Sequence, residues 1–181
     1  MAFYGLSNPY VAKYVQDGRY ETGMYLGEGI STEVTPSYAE GSLYGDNAQV
    51  ENVKEFTAAD VNIGVTKIPA AAVPILFGHA VSQDGVETSN ANDAAGYFGY
   101  GFIVKNIEGG VYTFQACVLL KVQAAEGAES YQTKGDSVTF ATPSLAGKAM
   151  AIGNGNWRLK SAKLSTLSAA QTWMVGQFPT E

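Results

Sequence analysis

Two apolar runs, Tyr97 to Ile107 and Val111 to Val122, separated by Glu108-Gly109-Gly110, restrict this chain more than any other feature. Aromatic and β-branched residues broken by a glycine-bearing turn predict a β-hairpin. Tyr112, Phe114, Ala116, Val118, Leu120 and Val122 fall on one face of it, and that face is expected in the core. The same grammar recurs along the chain. Tyr10 to Val15 reads as a strand, and Asp17-Gly18 turns it back into Arg19 to Leu26. Ile30 to Tyr38 alternates, with Ile30, Thr32, Val34 and Tyr38 on one side and Ser31, Glu33, Thr35 and Ser37 on the other. In Ala58 to Thr66, Val61, Ile63 and Val65 point one way, and Asp60, Asn62 and Thr66 the other. The two polar sides are expected to belong to one surface.

Glu129 to Pro143 reads as a strand through Tyr131, Thr133, Val138, Thr139 and Phe140. Lys134-Gly135-Asp136 interrupts it as a bulge does, and Pro143 stops it. Leu145 to Ile152 follows as a further short strand. Pro69 to Gly78 predicts a helix, short or kinked because Pro74 lies inside it. A last helix is expected from Ser168, with Ser168 and Gln171 as a capping box and Trp173 and Met174 on the buried side. About eight strands and two helices describe a β-rich domain. At 181 residues a single domain, 1–181, is expected. Residues 1–9 read as an N-terminal arm. Residues 39–57 read as a polar connection longer than compact domains usually carry without a function for it.

The charge balance narrows the function classes. A net charge of −6 argues against a surface built to grip DNA, which would concentrate Lys and Arg, but not against one that lets DNA pass. The single cysteine cannot form an internal disulfide. No apolar run approaches the roughly 18 residues of a membrane span, and the N-terminus lacks the pattern of a secretory signal. Synthesis and folding in the cytoplasm are expected.

Signals for chemistry are sparse. His79, the only histidine, lacks a carboxylate and a nucleophile at any recognisable spacing and reads as a helix-end residue. Cys117 lies mid-strand among apolar neighbours and reads as core. No Cys/His cluster offers zinc ligands. The carboxylates Asp46, Glu51, Glu55, Asp60, Glu126, Glu129 and Asp136 are numerous, but sequence fixes no separation between any two. Gly96-Tyr-Phe-Gly-Tyr-Gly101 reads as a strand whose glycines let aromatics of the neighbouring strand lie flat, not as a phosphate loop. No catalytic, metal or cofactor site is expected, and the chain is not expected to be an enzyme.

Several segments, taken in order along nearly the whole chain, resemble the major tail (tail tube) proteins of long-tailed phages and prophages of Gram-positive bacteria. They are Gly5-Leu-Ser-Asn-Pro-Tyr-Val-Ala-Lys-Tyr14, Ser42-Leu-Tyr-Gly-Asp-Asn47 with Lys54-Glu-Phe56, Glu129-Ser-Tyr-Gln-Thr-Lys-Gly-Asp-Ser137, and Phe140-Ala-Thr-Pro143 with Gly147-Lys-Ala-Met150. The resemblance implies a mainly β fold, a β-sandwich or barrel of two packed antiparallel sheets with one flanking helix and a short C-terminal helix. No C-terminal immunoglobulin-like domain is expected.

By the same resemblance the subunit forms hexameric rings that stack into a tail tube, a design similar to the tube of type VI secretion systems. Its expected partners are copies of itself, a tape-measure protein, and tail-tip and tail-terminator proteins. Its expected place is the virion, after assembly in the host cytoplasm. Ser31, Glu33, Thr35, Ser37, Asp60, Asn62 and Thr66 would line the lumen. Six copies at −6 give −36 per ring by formal count, a field that repels phosphate and lets DNA slide without specific binding. Tyr44, Asp46, Asn47, Glu51, Lys54, Glu55 and Phe56 would reach the next ring. Two other readings stay open: a monomeric carbohydrate-binding β-sandwich with Tyr97, Tyr100 and Tyr112 as its platform, and a hydrolase using two loop carboxylates such as Asp46 and Asp136.

Overall fold

The computed structural model describes residues 2–46, 48–128, 133 and 141–180. The strands are β1 (Ala2–Gln16), β2 (Arg19–Tyr20), β3 (Met24–Tyr25), β4 (Gly29–Gly45), β5 (Ala48–Val65), β6 (Ala80–Val81), β7 (Glu87–Thr88), β8 (Phe98–Glu108), β9 (Val111–Glu126), β10 (Ser144–Met150) and β11 (Arg158–Lys160). The helices are α1 (Val73–Leu76), entered through a 3-10 turn at Ala70–Ala72, and α2 (Leu167–Gly176). The protein is mainly β, with antiparallel strand ladders and two short helices.

Nine strands form one continuous sheet in the order β2-β1-β8-β9-β10-β5-β4, with β3 beside β1 and β11 beside β9. The sheet doubles over on itself. Val11 of β1, Val61 and Ile63 of β5, Tyr100 of β8, Leu119 of β9 and Leu145 of β10 are buried in one cluster with Val73, Leu76 and Phe77 around α1. Backbone bonds draw the two margins together at one end. Leu26 N–H donates to the Pro9 carbonyl at 2.8 Å, and Thr66 N–H donates to the Glu28 carbonyl at 2.9 Å. The two expected layers are therefore halves of one curled sheet. A second cluster lies on the other side of β8 and β9, where Ile103, Ala116, Val118 and Leu120 pack under Ala170 and Met174 of α2, Phe178 and Tyr20.

The β8–β9 hairpin is present, with both Gly109 and Gly110 at positive φ. The single core face is corrected in two ways. First, both faces of β9 are buried, with Cys117 and Leu119 in the interior cluster and Ala116, Val118 and Leu120 under α2. Second, Phe98 pairs with Val122 but Tyr100 pairs with Leu119, so a bulge transfers Val122 to the interior side. Tyr112, near the turn, is exposed.

Three further expectations change. Residues 2–9 are no free arm, because β1 pairs with β8 from Ala2↔Ile107 onward. The arm-like signals mark irregularities inside a strand: Gly5 and Asn8 both have positive φ, and register shifts occur between Tyr4 and Leu6 and between Ser7 and Tyr10. Residues 39–57 are no open loop either. They form the outer part of the β4–β5 hairpin, paired from Ala39↔Glu55 to Gly45↔Ala48. Finally, the cap of α2 is Thr166, whose hydroxyl accepts from Ala169 N–H at 3.2 Å; Ser168 lies inside the helix. The Pro69–Gly78 helix is short, as Pro74 requires. The strand expected over Glu129 to Pro143 falls mostly outside the described residues.

Candidate functional site

The β4–β5 hairpin changes character along its length. Between Gly64 and Ala59, β5 is flanked by β10 on one side and β4 on the other. Beyond Ala59 the β10 pairing ends, and among the described residues the two strands pair only with each other, from Tyr38↔Phe56 to Gly45↔Ala48, a ribbon of roughly 25 Å at the usual rise per residue. Asp46, at a φ of 50°, stands in its turn.

In the supported part, register unites the two polar sides expected from sequence. Glu33 faces Asn62, Thr35 faces Asp60 and Ser31 faces Gly64, and all five named side chains are exposed. Antiparallel partners project to the same side, so one surface results. Ser37, opposite Ala58, continues it, and Thr66 lies just past the end of β5. The Thr66 hydroxyl donates to Glu28 Oε2 at 2.5 Å, and this bond holds the Glu28 carboxyl below its usual range. The surface is less purely acidic than expected, since Lys148 of β10 reaches Asp60 Oδ1 at 3.1 Å. That exposed pair orients both groups and contributes little stability.

In the outer ribbon the same side carries exposed apolar residues beside the carboxylates Glu51 and Glu55. Leu43, opposite Glu51, is 60 % exposed, and Val53, opposite Gly41, is 49 % exposed. Val50 is exposed as well. Lys54 faces Glu40 across the ribbon and pairs with it at 2.5 Å. Glu55 and Glu51 are exposed, Tyr44 pairs with Gln49 through the backbone, and Asn47 lies outside the described residues. Phe56 does not belong with these. Its ring stacks on Trp157 at 4.6 Å and packs against the interior cluster, so it anchors the root of the ribbon.

The carbohydrate platform is not assembled. Tyr100 is fully buried, its hydroxyl 2.7 Å from Thr32 Oγ1, with its pKa driven upward by burial. Tyr97 and Tyr112 are exposed, but the Lys121 and Lys105 ammonium groups lie 4.2 and 4.3 Å from their ring centres. Asp46 stands at the ribbon tip, and Asp136 lies outside the described residues.

Sequence reading missed the setting of His79. Asp93, fourteen residues on, places Oδ2 2.7 Å from His79 Nδ1. This bond raises the imidazole above its ordinary pKa and lowers that of Asp93. A histidine beside a glycine gave no signal of a carboxylate delivered by a separate loop.

Cys117 is buried as expected, and burial pushes its thiol up to about 11. The thiolate is the reactive form, so the native protein should be modified by Ellman's reagent at neutral pH at least 100-fold more slowly than the urea-unfolded chain. Equal rates would place Cys117 outside the core.

No protein-family model and no curated protein matches this chain.

Proposed function

We propose that this chain is a self-assembling structural protein whose copies form rings that stack into a tube, as in the phage tail proteins that its sequence resembles. The observation that carries this reading is the ribbon from Tyr38 to Phe56. Among the described residues no third strand pairs with it; a two-stranded ribbon is marginal in water, and this one exposes Leu43, Val50 and Val53. A second copy covering it would supply both the missing support and the burial. β4 adds to the argument, because among the described residues it ends the sheet order and presents an outer edge along much of Gly29–Gly45. Open edges are covered or blunted in proteins that stay monomeric. Pro36, opposite Ala59, and the register shifts along β4 blunt parts of that edge.

In the tube the polar side carrying Ser31, Glu33, Thr35, Ser37, Asp60, Asn62 and Thr66 lines the bore, and the ribbon reaches the neighbouring ring. DNA passes along a surface that offers phosphate mainly hydroxyls, amides and carboxylates, with Lys148 already engaged by Asp60.

Electron microscopy of the concentrated purified chain tests the reading, with annular particles or hollow tubes expected. A monodisperse monomer at high concentration would overturn it. The double variant Leu43→Asp/Val53→Asp changes only exposed side chains, so folding should be retained within about 0.5 kcal/mol per site. Assembly should nevertheless be lost.

A further inference from the structure

Gly78, at a φ of 78°, turns the chain out of α1 and sets His79 beside the end of β9. Asp93 Oδ2, 2.7 Å from His79 Nδ1, also accepts from Asn90 N–H at 2.8 Å, so its position is fixed from two sides. With the ring proton on Nδ1, the Nε2 lone pair faces the opposite way. There Glu126 Oε1 lies 3.4 Å from Nε2, and Glu87 joins the group: one ligand atom from each of His79, Glu87 and Glu126 lies within 4.8 Å of the other two.

We propose that His79, Glu87 and Glu126 bind a divalent cation of the zinc class, with Asp93 as the outer carboxylate that orients the imidazole. The spacing points to this. At 3.4 Å, Nε2 and Oε1 are farther apart than in a usual charge-assisted hydrogen bond. The edge of a tetrahedron with ligands about 2.0–2.1 Å from its centre is roughly 3.3–3.4 Å. One imidazole nitrogen and two carboxylate oxygens, with water in the fourth position, form a donor set suited to Zn²⁺. Three carboxylates around one neutral imidazole leave a concentration of negative charge that a dication offsets. The chain of Asp93, imidazole and ion is the arrangement by which an outer carboxylate fixes the tautomer and raises ligand basicity.

The ligands come from three places: the residue after the α1 turn, β7, and the last residue of β9. A bound ion would therefore fasten the β6–β7 excursion to the main sheet, independently of tube formation.

Calorimetric titration of the chelator-treated full chain with Zn²⁺ should give one site per chain. Co²⁺ in its place should show the visible bands of a tetrahedral centre. Glu126→Gln should weaken Zn²⁺ binding at least tenfold, and Asp93→Asn should weaken it by about 10–100-fold while leaving the three ligands in place. Glu126 and Glu87 are exposed, so their glutamine variants test the site without depending on the fold. Absence of stoichiometric binding by the wild-type chain would overturn the proposal. So would unchanged affinity in both Glu126→Gln and Glu87→Gln, and the protonated imidazole would then simply bridge Asp93 and Glu126.

Discussion

A variant lacking residues 42–55 should fold to a stable subunit and build no tubes. The deletion joins Gly41 to Phe56 and leaves Ala39-Glu40-Gly41 as a three-residue turn across the retained Tyr38–Phe56 pair. Phe56 keeps its stack on Trp157, so the interior cluster loses none of its members. Leu43, Val50 and Val53 go, all of them exposed, together with the Lys54–Glu40 ion pair, which is exposed and contributes little. Thermal unfolding should therefore shift by only a few degrees, whereas sedimentation and electron microscopy should lose every species larger than a single ring. Long tubes built by this variant would remove the ribbon from the assembly and return it to an ordinary surface excursion. The same experiment is informative about subunit energetics. If the ribbon is marginal in the free subunit, its removal should also slow proteolytic nicking of the chain.

How far the sequence reveals this architecture depends on whether each strand has one dry face. Val61, Ile63 and Val65 alternate with Asp60 and Asn62, because β5 there covers the interior on one side and meets water on the other. Pairing of that polar side with Ser31, Glu33 and Thr35 is legible for the same reason. The outer hairpin is not, since residues 39–43 and 50–55 are exposed without alternation and no core imposes a period there. Strand β9 fails in the opposite direction. With both faces covered, its continuous apolar run hides the bulge that moves Val122. In β1, Gly5 and Asn8-Pro9 look like punctuation, yet β8 supplies enough pairing on either side to carry the strand through them. The candidate ion site was invisible because His79, Glu87, Asp93 and Glu126 have no shared period. They meet only because the β6–β7 excursion returns to the end of β9.

Substitution at Gly99 should be among the most damaging single changes in the chain. The sequence assigns glycines in this strand to making room for aromatics, and the structure locates the rings. A Cβ on Gly99 would lie 2.4 Å from Phe178 Cε1 and 2.7 Å from Tyr20 Cε1. These rings come from the segment after α2 and from β2, not from an adjacent strand of the main ladder. Neither can withdraw cheaply. Tyr20 is buried, and its hydroxyl donates to the Leu120 carbonyl at 2.7 Å. Phe178 is wedged against Tyr10 and Tyr20, with ring centres 5.4 and 5.0 Å away. Overpacking of this kind costs about 1–3 kcal/mol for Gly99→Ala. For Gly99→Val the cheaper response is to undock α2, which exposes Met174 and Phe178 at about 1.5–3 kcal/mol each. Urea unfolding should therefore show a loss of about 3 kcal/mol or more for Gly99→Val, with altered emission from the half-buried Trp173. Gly176→Ala, where an added Cβ meets nothing within 4 Å, should be neutral or slightly stabilising. The decisive measurement is a double-mutant cycle. Phe178→Ala leaves a cavity where the Gly99 methyl would sit, so the pair Gly99→Ala/Phe178→Ala should cost less than the sum of its parts. Strict additivity would mean that the two positions do not share the space the structure assigns to both.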